Sequence, residues 1–391
     1  MAVLYSFGNV LTDASELAEK MHLGDLEAFV KAATKGEDKS FEFRGGRLRT
    51  KDLTDNTKLD LPNFTQPGIG KPLSVEILSV YTGDAPQRFF GGKKDLLVVS
   101  GVKSAQTYGR APKALNQLVE KIEDNQYLQP GAFTQGSPIV YYSPAVDVST
   151  TLCSFELVAD SFNRDLFDVI GRLFSSSAGL PIFAPINGYL IVGGALVRMA
   201  GKLGNAIFET SPFLKEDIAF RFETPIVPIA QAKQMVICNE RDKDKFKGYE
   251  PGLTSEIGGN KRPVLLNKRS GKAYRGEAPY MMISVDGRRR DALKEFTPKL
   301  ASAAMIEKFY GSSLEVQEID ILEDAMLLYN DFYYYQKAKE LENSLMSPDG
   351  GTIDTNSTAF QRSKNLLNAY VNNIRAEVFR SDLSVINFLD D

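Results

Sequence analysis

From Pro72 to about residue 290 the apolar side chains recur with the period of strands, and this constrains the fold more than any other feature. Eight candidate strands follow: Ser74–Tyr81, Asp95–Val102, Ile139–Tyr142, Leu152–Ala159, Ile218–Glu223, Gln234–Cys238, Pro263–Leu266 and Tyr280–Val285. In the fifth, alternation sets Ile218, Phe220 and Phe222 on one face and Ala219, Arg221 and Glu223 on the other. No βαβ rhythm is visible, which argues against a doubly wound sheet. The expectation is an α+β chain, mainly an antiparallel β-sandwich over 72–290 with a helical insertion at 164–210.

The flanks read differently. Residues 1–71 are expected to be an N-terminal helical segment and linker. Asp13 and Glu16 form a capping box ahead of an apolar stripe over 13–33, and prolines and glycines crowd 62–72. Within the insertion, Leu166, Phe167, Ile170, Leu173 and Phe174 mark one helix face, and Tyr189–Phe208 reads as a second, Gly/Ala-rich helix. Residues 291–391 are expected to be helical, with a helix over Ala301–Tyr310 and then a hairpin. Ile319, Leu322, Met326, Tyr329 and Tyr333 would form a seam against Phe360, Leu367, Val371, Ile374 and Val378. The aromatic run over 332–335 encircles its helix, so Phe332, Tyr334 and Tyr335 would point away from that seam. With Tyr329 and Tyr333 they are the candidate interface residues of a homo-oligomer or a protein complex.

What the chain lacks narrows its chemistry. It has one histidine, His22, two cysteines, Cys153 and Cys238, and no tryptophan. Any Ser-His-Asp or Cys-His triad would need His22, and a His/Cys zinc site lacks ligands. No Walker A loop, GxGxxG turn or nucleophile elbow is present. No catalytic residue and no small-molecule substrate are therefore assigned. A net charge of −4 is too balanced for a surface devoted to nucleic acid. That charge is uneven: Lys233–Lys294 holds 15 Lys/Arg against 8 Asp/Glu, while Glu315–Asp331 holds six acidic residues and no basic one. A match between the two segments, within or between subunits, would steer docking. Unpaired cysteines and the absence of a basic, apolar leader give a cytoplasmic expectation.

One ordered constellation spans 73–171. An opening strand leads to Gly83-Asp84, then Gly91-Gly-Lys-Lys-Asp95, and later to Asp160-Ser-Phe-Asn-Arg-Asp165-Leu-Phe-Asp168-Val-Ile-Gly171. The order resembles the C2 domain, although Phe162 stands where that family has a second Asp in the loop. The resemblance implies a C2-like sandwich whose loops gather Asp84, Asp95, Asp160 and Asp165 or Asp168 around calcium, which takes six to eight oxygens. Apart from calcium, no cofactor is expected. Three functions follow. The leading one is a non-enzymatic binding or self-assembly protein whose C-terminal helices interact. The second is a membrane-binding or membrane-perturbing protein using the insertion 164–210. The third is a metal-dependent hydrolase working through carboxylates such as Asp160 and Asp165.

Overall fold

The computed structural model describes residues 2–7, 10–15, 39–44, 47–52, 65–86, 93–103, 112–131, 136–177, 179–186, 189–192, 195–198, 201–222, 234–254, 262–293, 296, 300, 303, 317–346 and 357–383. All eight expected strands are present, and two seven-stranded antiparallel sheets face one another across a shared core. The first sheet runs in the order β2 (Val10–Asp13), β1 (Ala2–Phe7), β15 (Gln234–Cys238), β18 (Tyr280–Asp286), β5 (Leu73–Tyr81) and β8 (Tyr127–Leu128). In it β9 (Ile139–Ser143) also pairs with β5. The second runs β13 (Ala195–Arg198), β12 (Tyr189–Val192), β11 (Ile182–Ile186), β7 (Lys113–Val119), β6 (Asp95–Lys103), β10 (Thr150–Asp160) and β14 (Leu214–Arg221). Two further hairpins stand apart, β3 (Lys39–Arg44) with β4 (Arg47–Asp52), and β16 (Tyr249–Thr254) with β17 (Arg262–Asn267).

Strand sequence follows from which faces are covered. In β6, Leu96 and Val98 enter the inter-sheet core, while Leu97 and Val99 enter a second core under helices α1 (Arg164–Ser176) and α2 (Gly201–Phe208). The run is continuously apolar because both faces are buried. In β5, Ile77 and Val80 face the same core although three residues apart. Leu78 is an extra residue there, a bulge opposite the Met282/Ile283 step of β18. On α1, Leu166, Ile170 and Phe174 form the buried stripe, and the Asn163 side chain caps the helix by accepting from the Leu166 N–H at 3.2 Å. The outer face of the first sheet lies under β16–β17. Tyr81, Tyr127, Tyr274, Tyr280 and Phe246 pack together there.

Two readings are corrected. Tyr189–Phe208 is not one helix: β12 and β13 form a hairpin in which Val192 opposes Ala195, and only Gly201–Phe208 is helical. A two-residue Gly-Gly link between apolar runs is a hairpin signal, and it outweighs the apparent helical spacing. Residues 1–71 are likewise not simply helical. The strands β1 and β2 are joined across a two-residue Gly-Asn step, and β1 pairs with β15 in the middle of the first sheet. Of the expected helix over 13–33 only Asp13–Ser15 are described, and His22 and Glu16 lie outside the described residues.

The C-terminal hairpin forms, with a different seam. Helix α3 (Gln317–Met346) lies against α4 (Thr358–Asn373) and α5 (Glu377–Ser381) through Tyr334, Ala338, Leu367, Val371, Ile374 and Leu383. Tyr329 and Tyr333, expected inside, are exposed, and Tyr334, expected outside, is fully buried. The side chains of Ile319, Leu322 and Met326 lie outside the described residues. Of the helix expected over 301–310 only Ala303 is described, buried in the inter-sheet core with Phe296 and Leu300. The hairpin docks on one corner of the sandwich. The Tyr334 hydroxyl donates to Asp147 Oδ2 at 3.0 Å, and Asn373 Nδ2 donates to the Ala145 carbonyl at 2.8 Å. Gly70, at φ +77°, lies so close to the Asn365 backbone that a Cβ would not fit.

Candidate functional site

The four predicted aspartates stand on different elements, and each has a different local role. Asp95 opens β6 and is 2% exposed. Its Oδ1 accepts the Lys121 N–H at 2.8 Å and its Oδ2 accepts the Phe162 N–H at 2.7 Å. Lys121 has φ +48°, a left-handed conformation that the surrounding structure must hold in place. Asp95 does so while tying down the 160–163 turn. Asp160 is the register partner of Asp95, and its Oδ1 accepts the adjacent Ser161 N–H at 2.7 Å. Asp165 and Asp168 are exposed on α1, with Asp165 in the first turn, where its charge complements the helix N-terminus. Asp84 is exposed and lines a separate cleft. The structure thus sets Asp95 opposite Asp160 and sends Asp84 and Asp165 elsewhere. Among the described residues, no group of three or more His, Cys, Asp or Glu side chains is placed to hold a metal ion.

A consequence can be measured. Both Asp95 oxygens are committed to backbone donors, so calcium should leave the melting temperature unchanged up to the millimolar range. A ligand confined to the folded state would raise it by RT ln(1 + [L]/Kd), and a saturable rise below about 1 mM contradicts this assignment.

The remaining reactive groups are closed in. Cys153 and Cys238 are both buried and unpaired. Burial pushes the Cys238 thiol up to about 12 and the Cys153 thiol higher still, so neither is a thiolate nucleophile near neutral pH. Burial likewise lifts the Tyr127 phenol to about 12, and its hydroxyl donates to the Tyr274 carbonyl at 2.5 Å. Glu156, buried beneath α2, is ion-paired to Lys113 at 2.7 Å and to Lys215 at 3.0 Å. The insertion's apolar residues Leu190, Ile191, Val192, Leu203 and Ile207 are buried within the chain, and no described helix is long and apolar enough to cross a membrane.

Part of the basic segment and one residue of the acidic segment find partners locally. Lys243, Lys245 and Lys247 pair with Glu240, Asp242 and Asp244 three residues before them on a 3₁₀ turn. Arg288 pairs with Asp286 and Arg290 with Glu76. Asp331 is buried, and its two oxygens accept the Arg375 and Ala376 N–H groups at 3.0 and 2.9 Å, which fixes the start of α5. Of the acidic segment's carboxylates only that of Asp331 is described, and among the described residues it makes no ion pair with the basic segment.

What is left open is a strip on α3. Leu328, Tyr329, Phe332 and Tyr333 are 60%, 58%, 43% and 37% exposed. Their i, i+1, i+4, i+5 spacing puts them on one face. Tyr335 is half-buried against Phe379, with its hydroxyl on Asp382 Oδ2 at 2.5 Å, and so belongs to the hairpin. Of the five predicted interface residues, the structure leaves Tyr329, Phe332 and Tyr333 outside and takes Tyr334 inside. Leu328 was missed, although its position one residue before Tyr329 on the same face was a usable signal. No protein-family model, no curated protein and no solved structure matches the chain.

Proposed function

We propose that this chain is a non-enzymatic binding and self-assembly protein, built on a C2-like sandwich, with the long C-terminal helix as its interaction element. The observation that carries the reading is the strip of Leu328, Tyr329, Phe332 and Tyr333, four large apolar side chains exposed together on one helix face. Ala325 and Gln336 continue the face, so no charge interrupts it. A second copy of the chain fits such a strip. A two-fold contact sets the same residues against themselves with helices antiparallel, and an uncharged face has nothing to repel its own image. Aromatic side chains supply large contact area at low rotamer cost. The C2-like part of the reading is supported by Asp95, which opens β6 beside Asp160 at the close of β10, with Asp84 in the connection from β5 to β6.

Light scattering tests the reading. At tens of micromolar the wild type should run as an oligomer, and Tyr329→Ser/Phe332→Ser should fall in subunit number. The melting temperature should barely change in a dilute sample, since exposed substitutions alter stability by only about ±0.5 kcal/mol. A monodisperse wild-type monomer at that concentration would overturn it.

A further inference from the structure

We infer that the cleft beside Asp84 binds a small zwitterion of the amino-acid or short-peptide class, its ammonium at Asp84 and Glu277 and its carboxylate at Arg241. The cleft has a volume of about 540 Å³ and is lined by these three residues, by Asp242 and Lys245, and by apolar surface from Phe213 and flanking prolines. That size and mixture suit a ligand with a modest apolar body and a few polar anchors.

The charges in the cleft are not equivalent. Asp242 and Lys245 satisfy each other: the Asp242 side chain is 6% exposed and its Oδ1 lies 2.9 Å from Lys245 Nζ. The same hydrogen bond raises the lysine above its ordinary pKa. Arg241 reaches that carboxylate only through Nε at 3.8 Å and is 86% exposed, so its paired terminal N–H groups remain for a second anion. Asp84 and Glu277 are exposed, and neither makes an ion pair among the described residues. Glu277 lies near enough to Lys245 to feel its charge, but Asp242 holds that lysine first.

The two acidic residues stand on loops that are tied together. The Asp84 N–H donates to the Glu277 carbonyl at 2.8 Å, so the two loops are joined at the residues that carry the carboxylates. Gly83 makes this approach possible. It has φ +58°, and a Cβ there would collide with the Glu277 carbonyl and the Pro279 nitrogen. Its own carbonyl accepts the Asn125 N–H at 2.8 Å. Arg241 stands on the 3₁₀ turn Glu240–Phe246, which is anchored by the fully buried Phe246 ring. The two carboxylates offer acceptors to an ammonium and the Arg241 guanidinium offers a donor fork to a carboxylate, so a ligand carrying both charges satisfies all three.

Titration calorimetry on the full chain tests this with three probes of one shape: phenylalanine, phenethylamine without the carboxylate, and phenylpropionate without the amine. Phenylalanine should give saturable heat at about millimolar concentration, and each single-charge analogue should bind about tenfold or more weakly. Glu277→Gln and Arg241→Gln should each weaken phenylalanine about tenfold and leave the melting temperature unchanged, because both side chains are exposed. Absence of saturable heat up to about 10 mM overturns the proposal. So does equal binding of either analogue, or affinity indifferent to both substitutions.

Discussion

Asp95→Ala should destabilise the protein by about 3–6 kcal/mol, since hydrogen bonds to a charged acceptor contribute about 1.5–3 kcal/mol each and two are lost. The Lys121 and Phe162 N–H groups would be left without the carboxylate that accepts them. Lys121 would then have to hold its left-handed backbone unaided. Asp95→Asn should cost roughly half as much, because its carbonyl oxygen still accepts one of the two donors. Urea unfolding measures both. A loss below about 1 kcal/mol for the alanine variant would show that Asp95 is not the brace described, and a calcium-ligand role would regain ground.

Tyr334→Ala should be comparably severe, at about 3–5 kcal/mol, by emptying the centre of the C-terminal core and cutting its bond to the sandwich. Tyr334→Phe separates the two effects. The ring stays, and only the hydroxyl bond to Asp147 goes. Burial raises the Asp147 carboxyl above its usual range, and the Tyr334 hydroxyl opposes that by favouring the charged form. A raised folded-state pKa makes the native protein the tighter proton binder. The contribution of Asp147 is therefore complete below the unfolded pKa and is lost as pH rises through the folded one. Removing the hydroxyl lifts the folded pKa further, so Tyr334→Phe should destabilise more at pH 7 than at pH 4. Melts at both values decide it, and an equal loss at both would mean that the carboxylate does not respond to the hydroxyl.

How legible was this in the chain? Strands whose two faces differ, or which are apolar throughout, announced themselves, as Leu73–Tyr81 and Asp95–Lys103 did. Short strands joined by glycine-containing dipeptides did not. Tyr-Leu-Ile-Val and Ala-Leu-Val-Arg around Gly193-Gly194 carry a hairpin signature that a scan for helical spacing overrides. The C-terminal seam slipped because Tyr333 and Tyr334 are neighbours of equal hydrophobicity. Periodicity alone cannot choose between them; the choice depends on Asp147, which is distant in sequence and accepts the Tyr334 hydroxyl. The aspartates were found by their order, but their roles depended on which backbone amides the fold would bring to them. Lys121 and Phe162 stand 26 and 67 residues from Asp95.

The two sheets differ in how their strands are drawn from the chain, and this bears on how the molecule is made. Every strand of the second sheet lies between Asp95 and Arg221, and both helices on its outer face lie inside the same stretch. Those residues leave the ribosome as one block and have their partners at hand. The first sheet has no such block. Ala2 is paired with Cys238, and β15 is in turn paired with β18, which ends at Asp286. β2 follows β1 at once, and β8 and β9 reach β5 by Ser143, but β1 waits for β15 and β5 for β18 until late in translation. Late, distant pairing of this kind slows folding and prolongs the exposure of strand edges. A finished second sheet offers β5 a surface on which to wait.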